Sequence, residues 1–223
     1  MSWLRNVWMA TAAAAAVLLP VAGARAFEPE SYLPADTKAV VVVNVRQTLD
    51  APLVKKHGLE HIKEGLKQND QLQKVLTAAG VDPLKDVSSI TVATTGAPTK
   101  PENVLVIVHG TFDLDKAQAA AEDYAKNNPT KLKIEKKDGL VIYENDAGQK
   151  STFAAFADKG TAVMSLSKDA VITAAKSAGK PAKLNKDLEG LLAKADAKQT
   201  IWMAALPPDD LKKILARGDN TKE

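Results

Sequence analysis

The chain of 223 residues has no cysteine. Disulfide bonds are therefore excluded, and so is the lipid anchor of bacterial lipoproteins, which needs a cysteine directly after the signal sequence. Stability must come from an ordinary packed core, which a chain of this length is long enough to bury.

Aromatic residues and net charge are scarce as well. Three tryptophans, three tyrosines and four phenylalanines are too few to build the base-stacking platforms of single-strand binding proteins. Residues 1–26 contribute two arginines and no acid, which leaves 28 basic and 27 acidic residues in the rest of the chain. So balanced a charge gives no field that would attract nucleic acid or an anionic membrane surface. We therefore expect no nucleic-acid partner.

The common catalytic and nucleotide-binding motifs are missing too. Neither G-x-G-x-x-G nor G-x-x-x-x-G-K-[ST] occurs, and there is no calcium loop of alternating acids. His109, in the sequence VHG, resembles the start of a lipase oxyanion loop, but no G-x-S-x-G supplies a nucleophilic serine. We interpret His109 as a strand-end histidine followed by a structural glycine.

The first 26 residues have the features of a cleaved signal peptide. Arg5 precedes a run of mostly Ala, Val and Leu over 7–22, and the sequence A-R-A at 24–26 is a small-x-small cleavage site, so the mature chain would begin at Phe27. Alanine is only weakly hydrophobic and Pro20 interrupts the run, which argues against a retained membrane span. We therefore expect a periplasmic or secreted protein with no stable membrane insertion after cleavage.

The remaining sequence predicts alternating strands and helices. Strands are indicated by AVVVVNV (39–45), SSITVATT (88–95), NVLVIVHG (103–110) and QTIWMAAL (199–206), and hairpins by Asp138-Gly139 and by the turn at 158–160. Asp113 and Ser167 are predicted N-caps of helices, and residues 59–79 form a helix in two pieces, with a second cap at Asn69-Asp70. The runs VVVV and VLVIV are apolar at consecutive positions, which predicts burial on both faces of the sheet.

The order of these elements predicts an α+β fold. Residues 39–136 run strand, helix, strand, strand, helix, strand, which is the ferredoxin-like split β-α-β order, and a second, looser α/β half follows. A mainly antiparallel sheet is expected. We expect residues 27–206 to form a single α+β domain, with two halves, 31–137 and 138–206, as the alternative, followed by a terminal helix and frayed tail over 207–223.

One stretch resembles a metal site. His57, Glu60 and His61 form the pattern H-x-x-E-H of inverted zinc peptidases, in which two histidines one helical turn apart bind zinc and the glutamate is the base. Glu135 or Glu144 lies in a reasonable range downstream to supply a further ligand. The pattern therefore raises the alternative of a zinc-dependent hydrolase.

The surrounding sequence argues against this zinc site. On a helical wheel, the apolar stripe of Leu59, Ile62 and Leu66 centres at about 175° from His57, whereas His61 lies at about 40°. Both histidines should therefore face water, and the neighbouring Lys55 and Lys56 would disfavour a dication. We interpret the stretch as an exposed helix N-terminus and assign no catalytic, cofactor-binding or metal residue.

Four segments carry a resemblance: YLPADTKAVVVVNV (32–45), AAGVDPLKDVSSITVAT (78–94), ENVLVIVHGTFDLDKAQAAA (102–121) and TAVMSLSKDAV (161–171). With its LPADT start before a strand and its repeated strand-cap-helix units, the chain resembles a group of uncharacterised secreted bacterial proteins of the planctomycete type. The resemblance implies a fold and carries no catalytic residue.

The function expected from the sequence is an exported, non-enzymatic binding or structural module of the cell envelope. Its partner would be a protein or an envelope polymer, bound through the sheet surface or the loop 96–102, and no cofactor is expected. A zinc-dependent hydrolase that uses His57, Glu60 and His61 is the alternative.

Overall fold

The computed structural model describes residues 31–68, 76–77, 80–96, 100–146, 150–196 and 198–207. Several predicted features lie outside the described residues: the signal peptide (1–26), the cap at Asn69-Asp70, the centre of the loop 96–102 and the terminal helix and tail after residue 207.

Eight strands form one antiparallel sheet in the order β4-β5-β6-β7-β3-β2-β1-β8. The strands are β1 (Ala39–Val43), β2 (Val87–Thr94), β3 (Val104–Gly110), β4 (Leu132–Lys137), β5 (Leu140–Asp146), β6 (Ser151–Asp158), β7 (Thr161–Ser165) and β8 (Ile201–Ala205). The α+β class and the mainly antiparallel sheet are thus confirmed. Strands from both halves of the sequence share this sheet.

The described helices connect these strands along the chain. They are α1 (Val45–Asp50), a π-helical turn (Val54–Gly58), α2 (Leu59–Lys67), a 3₁₀ turn (Pro101–Asn103), α3 (Leu114–Asn127), α4 (Lys168–Lys176) and α5 (Lys186–Leu192). None of the described helices has the length and apolar character needed to cross a membrane.

The predicted element order is present, but the strands pair differently from a ferredoxin-like unit. In a split β-α-β unit, a third strand separates two parallel strands. Here β1 and β2 pair directly and antiparallel, with Val43 opposite Ile90. The helices that follow β1 leave and rejoin the sheet at the same end, so they form an excursion rather than a crossover, and β2 therefore returns beside β1.

The predicted helix caps and the predicted β4–β5 turn are present in the structure. The Asp113 side chain accepts a hydrogen bond from the Lys116 amide at 3.1 Å, and the Ser167 hydroxyl accepts one from the Ala170 amide at 3.3 Å. Such caps contribute about 1 kcal/mol each. Asp138 and Gly139 have φ values of 51° and 81°, which suit the tight β4–β5 hairpin.

The core lies on one face of the sheet, under α4 and α5. Buried side chains of both helices pack with strand residues in one cluster: Val171, Ala174, Ala175, Leu188 and Leu192 against Val40, Val42, Leu105, Ile107 and Val163. The segment before β1 closes the same face, because Tyr32 and Leu33 are also buried in this cluster. We call this side of the sheet the core face.

The prediction that both faces are buried is wrong for much of the sheet. Burial alternates along β1, β3 and β8, so that every second side chain is buried on the core face and its neighbours are not. On the second face, α3 lies over one end of the sheet, where Phe112 packs on Phe156 with ring centroids 5.4 Å apart and Phe156 contacts Tyr143 at 6.2 Å. A helix of 14 residues is about 21 Å long, whereas eight strands span about 34 Å. One such helix cannot cover the whole face.

Candidate functional site

The part of the second face away from α3 is the most distinctive surface that the structure describes. Two rows of side chains cross the five neighbouring strands β7, β3, β2, β1 and β8. We call these two rows together the open face. One row is Met164, Val106, Val92, Val41 and Met203, and the other is Ala162, Val108, Ile90, Val43 and Ile201.

Every member of the open face is apolar, and none is buried. Met203 and Ile201 are 70% and 60% exposed, and Met164 is 36% exposed. A solvated face of an antiparallel sheet normally carries polar residues. Contiguous exposed apolar patches of more than a few hundred Å² mark interaction sites in soluble proteins. The arrangement can therefore bind an apolar surface, and it offers no group for acid–base or nucleophilic chemistry.

The positions of the methionines are a signal for the open face in the sequence. The chain has four methionines, and two of them, Met1 and Met9, precede residue 27. The other two, Met164 and Met203, both lie on the open face and in the same cross-strand row. Methionine is adaptable and is common on surfaces that accommodate partners. A methionine in each of two otherwise regular strands therefore indicates a surface that binds a partner.

The open face ends at β8, an edge strand that pairs only with β1 among the described strands. The backbone amides of Asn44 and Leu206 donate to the Thr200 and Lys38 carbonyls, each at 2.8 Å. These bonds fix which β8 residues point their main-chain groups toward β1. Because this direction alternates along an antiparallel strand, the N–H and C=O groups of Ile201, Met203 and Ala205 point to the open edge.

The H-x-x-E-H residues lie apart from this face, on the excursion that follows β1. His57, Glu60 and His61 are all exposed. His57 belongs to the π-helical turn and His61 to α2, so the two histidines lie on different helical segments. Glu60 forms an ion pair with Lys63 at 2.9 Å, and the hydrogen bond from Lys63 lowers the pKa of Glu60. A carboxylate held in this way is a weak base.

The downstream carboxylates that could complete a zinc site lie at the other side of the sheet. Glu144 is on β5, five strands from β1, which is roughly 24 Å at the usual strand spacing. Glu135, on the edge strand β4, forms an ion pair with Lys168. Within the described ranges, no three or more His, Cys, Asp or Glu side chains are grouped so that they could hold a metal ion.

A polar cluster that the sequence did not predict closes one end of the core face. The Asp158 carboxylate accepts hydrogen bonds from the Tyr32 hydroxyl at 2.8 Å and from the Gly160 amide at 2.7 Å. Thr161 also donates to Asp158, and its oxygen lies 3.2 Å from His109 Nδ1. Thr161 is buried, so its hydroxyl cannot reach a substrate. The cluster ties the segment before β1 to the β6–β7 hairpin.

The charge of this cluster is set by Asp158. Partial burial raises the pKa of the Asp158 carboxyl, but the hydrogen bonds from Tyr32, Gly160 and Thr161 outweigh burial, so that its pKa is lowered from the usual value.

Gly110 beside the cluster is a structural glycine, since a Cβ there would lie 2.3 Å from the Asp86 carbonyl oxygen.

Comparisons with known proteins identify no family. A scan against protein-family models found no match, and a search of curated proteins found no significant relative. Similar solved structures include crystal form III of TP0453, with a TM-score of 0.49 and 9% identity over 85% of this chain and 67% of that chain. Crystal form IV has a TM-score of 0.47 and 8% identity, and it matches 79% of this chain and 63% of that chain. No function is transferred from similarities at this level.

Proposed function

We propose that the chain is an exported, non-enzymatic module of the cell envelope that binds a partner protein through the open face. The observation that carries the proposal is the continuous set of apolar, unburied side chains over five strands. A polysaccharide ligand would need hydrogen-bonding groups and aromatic platforms, which the open face lacks. An apolar protein surface matches its chemistry.

The expected strength of binding follows from the apolar area. A partner that covers about 400 Å² of apolar surface gains roughly 10 kcal/mol from desolvation. Association costs an estimated 4–15 kcal/mol. The apolar contact alone therefore gives modest affinity, and the partner must add polar contacts. One exposed ion pair near the start of β3 joins Glu102 to Lys150 at 3.5 Å.

A capture experiment with matched variants tests this function. The mature chain from residue 27 is immobilised and exposed to an envelope extract, beside Met164→Lys and Leu191→Lys. Met164 and Leu191 are both 36% exposed, but Leu191 lies on α5, over the core face. We expect Met164→Lys to lose the captured partner and Leu191→Lys to retain it. Equal retention by both variants would refute the open face as the binding surface.

The same preparations test the zinc alternative and the export signal. His57→Ala should leave capture unchanged, and metal analysis after dialysis should give less than one zinc per chain. Stoichiometric zinc, together with peptide hydrolysis that His57→Ala abolishes, would establish the hydrolase instead. Mass spectrometry of the exported protein should give a chain that begins at Phe27.

A further inference from the structure

We propose that two copies of this chain pair through β8, edge to edge and antiparallel, about a two-fold axis at Met203. The pairing goes beyond the binding of a partner on the open face, and it depends on the main chain of β8 rather than on the apolar side chains of the central strands.

The first support is the unprotected character of β8. Proteins block edge strands with charges, prolines or bulges, because an exposed row of main-chain groups pairs with other chains. The sequence of β8, IWMAA, has no charge and no proline, and its register with β1 is continuous from Ile201 to Ala205. None of the usual devices is present on the described part of this edge.

The second support is the contrast with the opposite edge. The sequence of β4, LKIEKK, places Lys133, Lys136 and Lys137 along a strand of six residues. Lysines along an edge strand are one of the devices that keep it from pairing with another chain. Of the two edge strands that the structure describes, only β8 lacks charged residues, and this absence of charge makes it compatible with a second copy of itself.

The third support is the pattern of outward main-chain groups. With Met203 on the two-fold axis, Met203 faces its own counterpart and Ile201 faces Ala205 of the second copy. The three residues whose N–H and C=O groups point to the open edge then form three hydrogen-bonded pairs, with about six main-chain bonds in total. The large Ile201 lies opposite the small Ala205, so all five β8 residues pair without crowding.

The consequence is a sheet that continues from one copy into the other. The open faces of the two copies then lie on the same side of the combined sheet and meet at the axis. A partner protein would encounter a surface of twice the length, and a bivalent partner would bind with increased avidity.

Sedimentation of the purified mature chain tests the pairing. The wild type should sediment with the mass of a dimer, and Met203→Lys and Met203→Glu should each halve that mass, because like charges would meet on the axis. Mixing the two variants in equal amounts should restore the dimer, since a lysine then faces a glutamate. Met164→Lys, on the same face but four strands away, should remain dimeric.

A second variant distinguishes a loss of pairing from a loss of folding. Ala205→Pro removes only an amide that points to the open edge, a position where proline is tolerated in an edge strand, and it should also give a monomer with an unchanged circular dichroism spectrum. A wild type that is monomeric, with β8 covered by residues 208–223 or by nothing, would overturn the proposal. So would lysine and glutamate variants that remain dimeric. No other protein is present, so the result is independent of the capture experiment.

Discussion

The two faces of the sheet are made of similar residues but are covered differently. On β1, Val40 and Val42 are buried on the core face, with exposures of 0% and 4%, whereas Val41 and Val43 on the second face are not buried. Composition therefore does not decide which face becomes the core. The placement of the helices contributes, because α4 and α5 both pack on the core face, whereas α3 contacts the sheet at its β4 end.

We therefore assign stability and binding to different faces of the sheet. The core face contains the side chains whose burial holds the fold together. The open face contributes little to the folding of a single chain, and its apolar residues are available for association. Substitutions that compare neighbouring residues on the two faces should therefore have effects of very different size.

The largest difference is expected between Leu105→Lys and Val106→Lys. These residues are adjacent on β3, and Leu105 is 1% exposed on the core face whereas Val106 lies on the open face. A lysine at 105 would bury an unpaired charge and should lower the free energy of unfolding by more than about 4 kcal/mol. A lysine at 106 can extend its ammonium into water and should cost about 1 kcal/mol. Urea denaturation measures both, and equal losses would mean that both faces are buried.

A similar comparison can be made on α5. Leu188 is 0% exposed and Leu191 is 36% exposed. Leu188→Ala should lower the free energy of unfolding by about 2–5 kcal/mol, through lost burial and the cavity left in the core. Leu191→Ala should change it by about 0.5 kcal/mol. A small effect of Leu188→Ala in thermal or chemical unfolding would contradict the assignment of the core face.

Two glycines in different surroundings allow a comparison at the level of the backbone. Gly110→Ala should destabilise the fold by about 1–3 kcal/mol, because the added Cβ would collide with the Asp86 carbonyl oxygen. Gly190, in the interior of α5, has no neighbouring atom within 4 Å of a Cβ. Gly190→Ala should therefore stabilise the fold by about 0.5–1 kcal/mol. Melting temperatures that move in the same direction for both variants would contradict this contrast.

The smallest effect is expected at the polar cluster. Tyr32→Phe removes the hydrogen bond to Asp158 and should cost about 1 kcal/mol at neutral pH. Since the pKa of Asp158 is lowered in the fold, the stability that the carboxylate contributes is present above its unfolded pKa of about 3.9. This contribution to stability is lost as the pH falls through the lower pKa that Asp158 has in the folded protein.

The pH dependence of unfolding separates this effect from simple packing. The difference between wild type and Tyr32→Phe should be constant above about pH 5 and should shrink below about pH 4. Tyr143→Phe is the control, because burial and Glu122 raise the pKa of Tyr143, so its hydroxyl stays protonated throughout this range. A difference at residue 32 that does not change with pH would mean that the bond to Asp158 contributes nothing.

Local features could be predicted from the sequence because their causes are local. The caps at Asp113 and Ser167 and the turn at Asp138-Gly139 depend on residues within a few positions of one another. The helical wheel likewise placed His57 and His61 in water, where the structure has them.

Features that depend on distant parts of the chain could not be predicted. Tyr32 and Asp158 are 126 residues apart in sequence, and β8 pairs with β1 across most of the chain. The open face could not be separated from the core face in VVVV or VLVIV, because successive valines, leucines and isoleucines give no alternation. The direct pairing of β1 with β2 could not be predicted either. The sequence does not tell whether a helical connection crosses the sheet or returns to the same end.

Methionine oxidation tests whether the open face is exposed in the free protein and covered by a partner. Met164 and Met203 are the only methionines after residue 26, so peroxide oxidation followed by mass spectrometry reads the open face directly. We expect Met164 to be oxidised readily in the purified mature chain and to be protected when the chain has captured its partner from the envelope extract. Slow oxidation of Met164 in the purified chain, or equal oxidation in the free and captured states, would contradict it.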